Sequence, residues 1–333
     1  MAFVIENIAT LAEIPALVGS FATAAGWTVG AAPDPMFPDA RLLTRPEGGA
    51  PLLIQRLGEG LAPGVDEDFL VFGAPSITTN IALMNNIRFG GTELIPQVAA
   101  PTRLFLFSGV EEGHAFIAGA VEFGFNRYRH FYLGGLVIKG NYTGGEIVAA
   151  NTFENSTSTF RWPRDTASHK MLFQATGDLD LRTREQSGFA HVVHPDSADP
   201  IKPISSPFTA FSPFELNAIE GSAVGGPLDR LNDTFLRDGQ EHFAAATILT
   251  PQNMYEATSE PRRWRPLGHV AGTRMVNITN LEPGQQVTVG SIDWRVFPEF
   301  RKSNVSSIDI IDGGFNADES SEFIGVAFAE NLT

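Results

Sequence analysis

Hydrophobic residues in this chain come mostly in short bursts that end at glycine or proline. The segment Val121–Asn151, VEFGFNRYRHFYLGGLVIKGNYTGGEIVAAN, holds three of the four tyrosines of the chain and five glycines between Gly134 and Gly145. Glycine at this frequency excludes a helix of ordinary length, whereas aromatic and β-branched bursts between turn residues are typical of short strands. We therefore predict that this segment forms the middle of a β-rich core.

The best helix candidate lies near the N-terminus, in residues 7–25, where apolar residues recur at helical spacing. Pro15 cannot occupy a helix interior without removing a hydrogen bond, which leaves two alternatives. Either a short turn precedes a helix that begins near Pro15, or a longer helix kinks there. Gly26 is predicted to end the helix, and residues 27–29 to form the first strand.

Further strands are predicted from apolar bursts and alternation. They lie at residues 41–44, 52–56, 69–72, 103–108, 114–123, 171–176, 191–194, 276–278, 287–289, 292–297 and 323–329, and residues 77–87 fit either a strand or a short helix. Turns are predicted at Glu111-Glu112-Gly113, at Glu282-Pro283-Gly284, where proline takes the turn position it prefers, and at the hairpin pair Gly290-Ser291.

These elements predict a mainly β, α+β fold: a β-sandwich or barrel-like core with an N-terminal helix and a long loop-rich insertion. Residues 1–30 supply the helix and first strand, and residues 31–150 the β-rich core. Residues 151–265 are polar and proline-rich with recurrent phenylalanines, which indicates a loop-rich insertion or second subdomain. Residues 266–333 supply the C-terminal strands that complete the core, so losing the last strand is expected to be destabilising.

Composition narrows the functional classes. The 333 residues carry a net charge of −15 and show no basic patch, which argues against direct nucleic-acid binding. The chain has no cysteine, so disulfides, thiolate metal sites and a cysteine nucleophile are excluded. No lysine or arginine precedes Arg41, and no apolar run is long enough to cross a bilayer, so neither a signal peptide nor a membrane anchor is expected.

The histidines of this sequence indicate neither a metal site nor a catalytic residue. His191 and His194 are three residues apart, which places them on opposite sides of a strand, where one metal ion does not reach both. His114 and His130 flank the aromatic segment and could face each other across neighbouring strands. Since neither has a nucleophile in view, we interpret both as core residues rather than catalysts.

Carboxylates are numerous, but their spacing singles out none of them. The acids considered for a hydrolytic pair or a calcium site are Glu111, Glu112, Asp293, Glu299, Asp178, Asp180, Asp309 and Asp312. Glycine pairs such as Gly134-Gly135 match no phosphate-binding loop or nucleophile elbow and are interpreted as turns. We therefore predict no catalytic residue, no metal and no cofactor.

The aromatic cluster is the remaining candidate for binding. Tyr128, His130, Phe131, Tyr132 and Tyr142 could stack a sugar or pack in a core or an interface, and aromatics at strand spacing favour packing. The tyrosines Tyr128, Tyr132 and Tyr142 form the one candidate interaction surface. Whether they point into the sheet or out towards a partner is left open by the sequence.

Three segments, taken together and in order, resemble a known family. They are AAGWTV near the start, RYRHFYLGGLVIKGNYTGGEIVAANTF in the middle and GSIDWRVFPEFRKSN near the end. They are similar to a family of uncharacterised virion structural proteins of tailed bacteriophages, encoded among tail and connector genes. The resemblance does not cover the polar region from Thr152 to Pro266.

This resemblance implies a structural protein of the virion, in the tail, baseplate, collar or head–tail connector, without catalysis. It implies many copies in a ring-like homo-oligomer, other tail or connector proteins as partners, and assembly in the host cytoplasm. Two alternatives remain. One is a carbohydrate- or receptor-binding module that uses the aromatic surface, and the other is a cell-wall or polysaccharide hydrolase.

Overall fold

The computed structural model describes residues 3–31, 38–49, 51–57, 69–73, 92–96, 100–123, 127–138, 147–151, 189–193, 249–258, 263–278, 280–298 and 324–332. Within these ranges the chain forms one α-helix and seventeen strands, which pair antiparallel in three sheets. The predicted mainly β, α+β fold is confirmed. The predicted elements at residues 77–87 and 171–176 lie outside the described residues.

The helix is α1 (Ile14–Ala24). The strands are β1 (Phe3–Asn7), β2 (Thr28–Gly30), β3 (Arg41–Thr44), β4 (Leu52–Leu57), β5 (Phe69–Gly73), β6 (Thr92–Pro96), β7 (Pro101–Glu111), β8 (His114–Phe123), β9 (Arg127–Gly134), β10 (Leu136–Ile138), β11 (Ile147–Asn151), β12 (Phe189–Val193), β13 (Leu249–Thr258), β14 (Arg263–Asn277), β15 (Gln285–Val289), β16 (Ile292–Pro298) and β17 (Ile324–Ala329).

Three sheets organise these strands. Sheet A has the order β1-β7-β8-β9-β11-β12, and sheet B is the meander β2-β3-β4-β5-β6. Sheet C has the order β10-β14-β17-β16-β15, with β13 paired to β14. The last strand, β17, therefore lies between two neighbours inside sheet C. The predicted division of the chain into four segments stays a prediction, since most of residues 151–265 lie outside the described ranges.

Sheet A is covered on both faces along β7, β8 and β9, which explains why these strands are continuously apolar. On β7, Phe105 and Phe107 face sheet C, where they meet Phe297 and Phe328. The alternate residues of β7 face the other way, into a second core formed with α1 and sheet B. A strand that is buried on both faces has no solvent-exposed residues, so its sequence is continuously hydrophobic rather than alternating.

The N-terminal helix begins as the first of the two alternatives predicts. A single 3-10 turn, Leu11–Glu13, precedes α1, and Pro15 lies in the first turn of the helix. The Glu13 carboxylate accepts the backbone N–H groups of Ala9 and Thr10, each at 2.9 Å. These hydrogen bonds lower the pKa of Glu13 and satisfy donors that the helix start leaves unpaired.

The strand predicted at residues 27–29 is present one position later, as residues 28–30, but it is not the first strand. Strand β1 precedes the helix and pairs with β7, with Phe3 opposite Phe107, while residues 28–30 form β2. β1 has only three apolar residues, Phe3 to Ile5, directly before the helical pattern, and its strand partner β7 lies about 100 residues further along the chain. Gly26, with a φ of +86°, ends the helical region as predicted.

The glycine pair Gly134-Gly135 is not a turn, which corrects the prediction. β9 continues through Gly134 in sheet A, and β10 begins at Leu136 in sheet C, so the chain passes between sheets at this pair. A Cβ on Gly134 would lie 2.6 Å from the Tyr132 hydroxyl, and a Cβ on Gly135 would lie 2.8 Å from Cβ of His114. Glycine is required here because side chains and backbone of β8 and β9 leave no room for a Cβ at either position.

Candidate functional site

Two of the three candidate tyrosines lie in the core between sheets A and C. Tyr128 is 1% exposed and Tyr132 is fully buried, so both point inward rather than towards a partner. The ring of Tyr132 stacks on Phe116 with centroids 6.2 Å apart, and Tyr128 lies 5.2 Å from Phe297. Tyr142 lies outside the described residues.

Tyr128 belongs to a polar cluster at one end of sheet A. Its hydroxyl donates to Glu122 Oε1 at 3.3 Å, and Arg103 holds the same carboxylate through Nε and through Nη2, the latter at 3.0 Å. Burial, followed by the Glu122 charge, raises the pKa of Tyr128 above its ordinary value. The phenol therefore stays neutral and acts as a hydrogen-bond donor.

A second cluster joins the sheets at the β7–β8 hairpin. Glu111 Oε1 lies 3.1 Å from His269 Nε2, and Glu111 Oε2 accepts the Gly272 N–H at 2.6 Å. Arg274 donates to both carboxylate oxygens and lies 5.0 Å from the centre of the Trp294 ring. All three partners of Glu111 belong to β14, so this one side chain fixes β14 against sheet A.

The electrostatics of Glu111 follow from these contacts. Burial alone would raise the pKa of Glu111, but the hydrogen bonds from His269 and Arg274 and the charge of Arg274 outweigh it. The pKa falls from 4.5 to about 2. Glu111 is therefore an ionised anchor at neutral pH and is not poised to exchange a proton there.

A third cluster lies close to the second. Arg45, only 3% exposed, pairs with Glu47 at 3.0 Å, and the Glu47 carboxylate accepts the Ala115 N–H at 2.9 Å. Nearby, the Tyr132 hydroxyl donates to the Gly135 carbonyl at 3.0 Å. Burial, then the charge of Glu111, raises the pKa of Tyr132 well above its ordinary value. The Glu47 contact joins the β3–β4 turn of sheet B to β8, and the Tyr132 contact fixes Gly135, where the chain passes from sheet A to sheet C.

The histidines do not come together. His130 is opposite Ala120 in the β8–β9 ladder, whereas His114 is opposite Glu111 at the hairpin end, so the suggestion that they face each other is wrong. His130 is fully buried, with Nε2 2.9 Å from the Pro298 carbonyl oxygen. His191 lies on β12 opposite Ala149, and His194 lies outside the described residues.

The carboxylates considered from the sequence have separate positions. Glu112 occupies the β7–β8 turn with a φ of +49°, and Asp293 lies near the turn of the β15–β16 hairpin. The acids outside the described residues are Glu299, Asp178, Asp180, Asp309 and Asp312. Sequence reasoning missed Glu122, although a single charge inside the apolar run AFIAGAVEF signals a buried ion pair.

The β15–β16 hairpin carries a polar network near the surface. Arg295 pairs with Glu330 and donates through Nη1 to the Gly284 carbonyl at 2.6 Å. Asn331 accepts the Asp293 N–H at 2.9 Å, and its amide nitrogen lies 3.2 Å from the Asp293 carboxylate. The Gly284 end of the hairpin is thus held by Arg295 of its own second strand, and the Asp293 end by Asn331 of the segment after β17.

These arrangements fix sheets rather than expose reactive groups. Within the described ranges, no group of three or more histidine or acidic side chains is placed to hold a metal ion. In the same part of the chain, no helix has the length and apolarity needed to cross a membrane. Chemically, the Glu111 and Glu47 clusters provide hydrogen-bonding anchors between sheets, and the Glu122 cluster joins neighbouring strands of sheet A.

Comparison with known proteins adds no family assignment. No protein-family model matches the sequence, and no curated protein matches it.

Proposed function

We propose that this chain is a structural component of a tailed-phage virion, in the tail, baseplate, collar or head–tail connector, and that it assembles in multiple copies. The resemblance of its start, middle and end to such proteins motivates the proposal. The observation that supports it best is the use of ionisable residues. Glu111, Glu122 and Glu47 each hold a cation and fix one part of the fold to another.

A rigid scaffold is what such a role requires. Sheet A is buried on both faces, and its ion pairs reach sheet C through Arg274 and His269. Breaking a buried pair costs about 3–5 kcal/mol, so these contacts resist local opening. The carbohydrate-binding alternative is weakened because Tyr128 and Tyr132 are buried and present no platform to a sugar.

The proposal is tested on particles. Virions of the phage that encodes this chain are purified on a density gradient and analysed by quantitative mass spectrometry. We expect the chain at several copies per particle, in constant ratio to the other tail or connector proteins. Absence of the chain from infectious, gradient-purified particles would overturn the proposal.

A further inference from the structure

The outer edge of sheet C at β15 lacks the features that protect three other sheet edges in the described part of the chain. The edges that share this lack are β12 and the three-residue strands β2 and β10. β15 reads QQVTV, without charge, proline or a register shift, and Gln285, Gln286, Thr288 and Val289 are exposed. By contrast, β1 carries Glu6, β6 ends on a proline, and β13 has a proline and two register shifts. Charges, prolines and bulges are the features by which proteins protect edge strands from pairing.

The backbone of β15 is also ordered by hydrogen bonds at both ends of the β15–β16 hairpin. The preceding turn is closed by the Gln285 N–H donating to the Glu282 carbonyl at 2.9 Å, with Gly284 at a φ of +78°. Arg295 holds the Gly284 end, and Asn331 holds the Asp293 end. An edge that is already ordered loses little conformational entropy when a further strand joins it.

From this geometry we infer that β15 is a self-association surface, where β15 of a second copy of this chain adds antiparallel across a two-fold axis at Val287. This register places Gln286 opposite Thr288 of the second copy, and Gln285 opposite its Val289. Every position then meets an uncharged residue, and the exposed Val289 gains a neighbour. Two sheets C become one continuous sheet, as in strand addition generally.

Charge favours the β15 edge over acidic parts of the surface as the place where two copies of this chain meet. With a net charge of −15, two copies repel each other wherever acidic residues meet. The β15 edge contributes no acid of its own to such a contact. A two-fold contact also needs a self-complementary patch, and QQVTV meets that requirement with two uncharged residues on each side of Val287.

The inference deepens the proposed function by naming a surface through which copies meet, but its test uses only the purified full-length chain. Sedimentation velocity is measured from about 10 µM to about 1 mM, because a five-residue strand pair is smaller than the ~1,200 Å² of a stable interface. We expect a reversible monomer–dimer equilibrium within this range.

Two double variants that differ at one position give the specific test. Gln286→Lys with Thr288→Lys places two like-charged pairs across the axis, whereas Gln286→Glu with Thr288→Lys places two opposite-charged pairs there. Cross-strand charge pairs are worth about 0.2–1 kcal/mol each, so the first variant should weaken dimerisation about 2- to 30-fold. The second should strengthen it by a similar factor and make it sensitive to salt.

Gln286 lies opposite Arg295 and Thr288 opposite Asp293 on β16. Gln286→Glu and Thr288→Lys therefore face opposite charges within the hairpin, whereas Gln286→Lys faces a like charge, so the fold of each variant is verified by circular dichroism before dimerisation is compared. Thr288→Lys gives up the hydroxyl contact to Asp293 but leaves a cation beside that carboxylate. The control is Ser20→Lys with Ala24→Lys on the exposed side of α1, which adds the same two charges away from the edge. This control is expected to dimerise at least as well as the natural chain, because it lowers the net negative charge.

A crosslinking measurement keeps the inference testable if a charge variant folds poorly. The chain has no cysteine, so Thr288→Cys introduces one thiol per copy. In the two-fold register these thiols are diagonal neighbours about 7–8 Å apart, within reach of a short bifunctional thiol reagent. Ser20→Cys is the control and should not crosslink.

Three results would overturn the inference. They are a monomer at 1 mM, equal dimerisation of the two double variants, and equal crosslinking of Thr288→Cys and Ser20→Cys. None of these bears on whether the chain occurs in virions, so failure of this surface is distinguishable from failure of the proposed function.

Discussion

The anchor at Glu111 makes the stability of this protein depend on acidity in a defined way. The pKa of Glu111 is about 2 in the folded chain, against 4.5 ordinarily, so the folded state binds this proton more weakly than the unfolded state does. The stabilisation is therefore complete above pH 4.5 and is lost as the pH falls from 4.5 towards 2. The pKa difference corresponds to about 3 kcal/mol, of which about 2 kcal/mol is lost by pH 3.

Glu111→Gln tests this reasoning because it removes the charge and nearly preserves the shape. At pH 7 we expect the free energy of unfolding to fall by about 2–4 kcal/mol, since Arg274 and His269 lose a buried anionic partner. Urea unfolding followed by tryptophan fluorescence measures it, with Trp294 beside Arg274 as a local probe. Between pH 5.5 and pH 3 the natural chain should lose stability faster than the variant, so the two should converge.

Glu6→Gln is the matched control, since Glu6 lies on the edge strand β1 and has no cation assigned to it among the described contacts. It should leave the free energy of unfolding within about 0.5 kcal/mol of the natural value at each pH. A difference between the natural chain and Glu111→Gln that stays constant from pH 7 to pH 3 would refute the reasoning, because it would mean that the Glu111 charge contributes nothing.

Other predictions concern packing. Gly272→Ala should cost about 3 kcal/mol or more, because a Cβ there would overlap the buried Phe116 ring, whereas Gly113→Ala, also at positive φ but in open space, should cost only about 1 kcal/mol. Equal losses in chemical denaturation would exclude the overlap. Tyr128→Phe should lose about 0.5–1.5 kcal/mol, the net value of its hydrogen bond to Glu122, and an unchanged thermal midpoint would contradict that bond. A chain ending at residue 323 lacks β17 from the middle of sheet C and should show no cooperative thermal transition.

The hydrophobic pattern and turn residues were sufficient to predict elements that depend on residues close together in the sequence. Strands β7 and β8 and the turn between them follow from residues a few positions apart, and the glycine at Gly113 supplies the positive φ that the turn needs. The turn at Glu282-Pro283-Gly284 and the hairpin at Gly290-Ser291 are likewise where the sequence predicts them. In these cases the decisive interactions lie within one hairpin.

Contacts between residues far apart in the sequence could not be predicted from the sequence pattern. Glu111 meets His269 and Arg274, which follow it by 158 and 163 residues. The crossing at Gly134-Gly135 likewise depends on which strand of sheet C receives β10, and β14 lies more than 100 residues further along the chain. A single sequence shows that Glu122 is a charge among apolar residues, but the identity of its partner depends on how the sheets pair.

The ion pair of Glu111 sets the register of β14 against sheet A. Both faces of sheet A are apolar, and apolar contact is not directional, so hydrophobic burial alone does not fix how far β14 slides along sheet A. Glu111 removes this freedom, because its two oxygens engage a backbone N–H, an imidazole and a guanidinium that are fixed relative to one another on β14. A shift by one residue would leave these groups buried without partners, at a cost of about 1–3 kcal/mol for each. We infer that the cluster contributes more to the uniqueness of the sheet alignment than to its net stability.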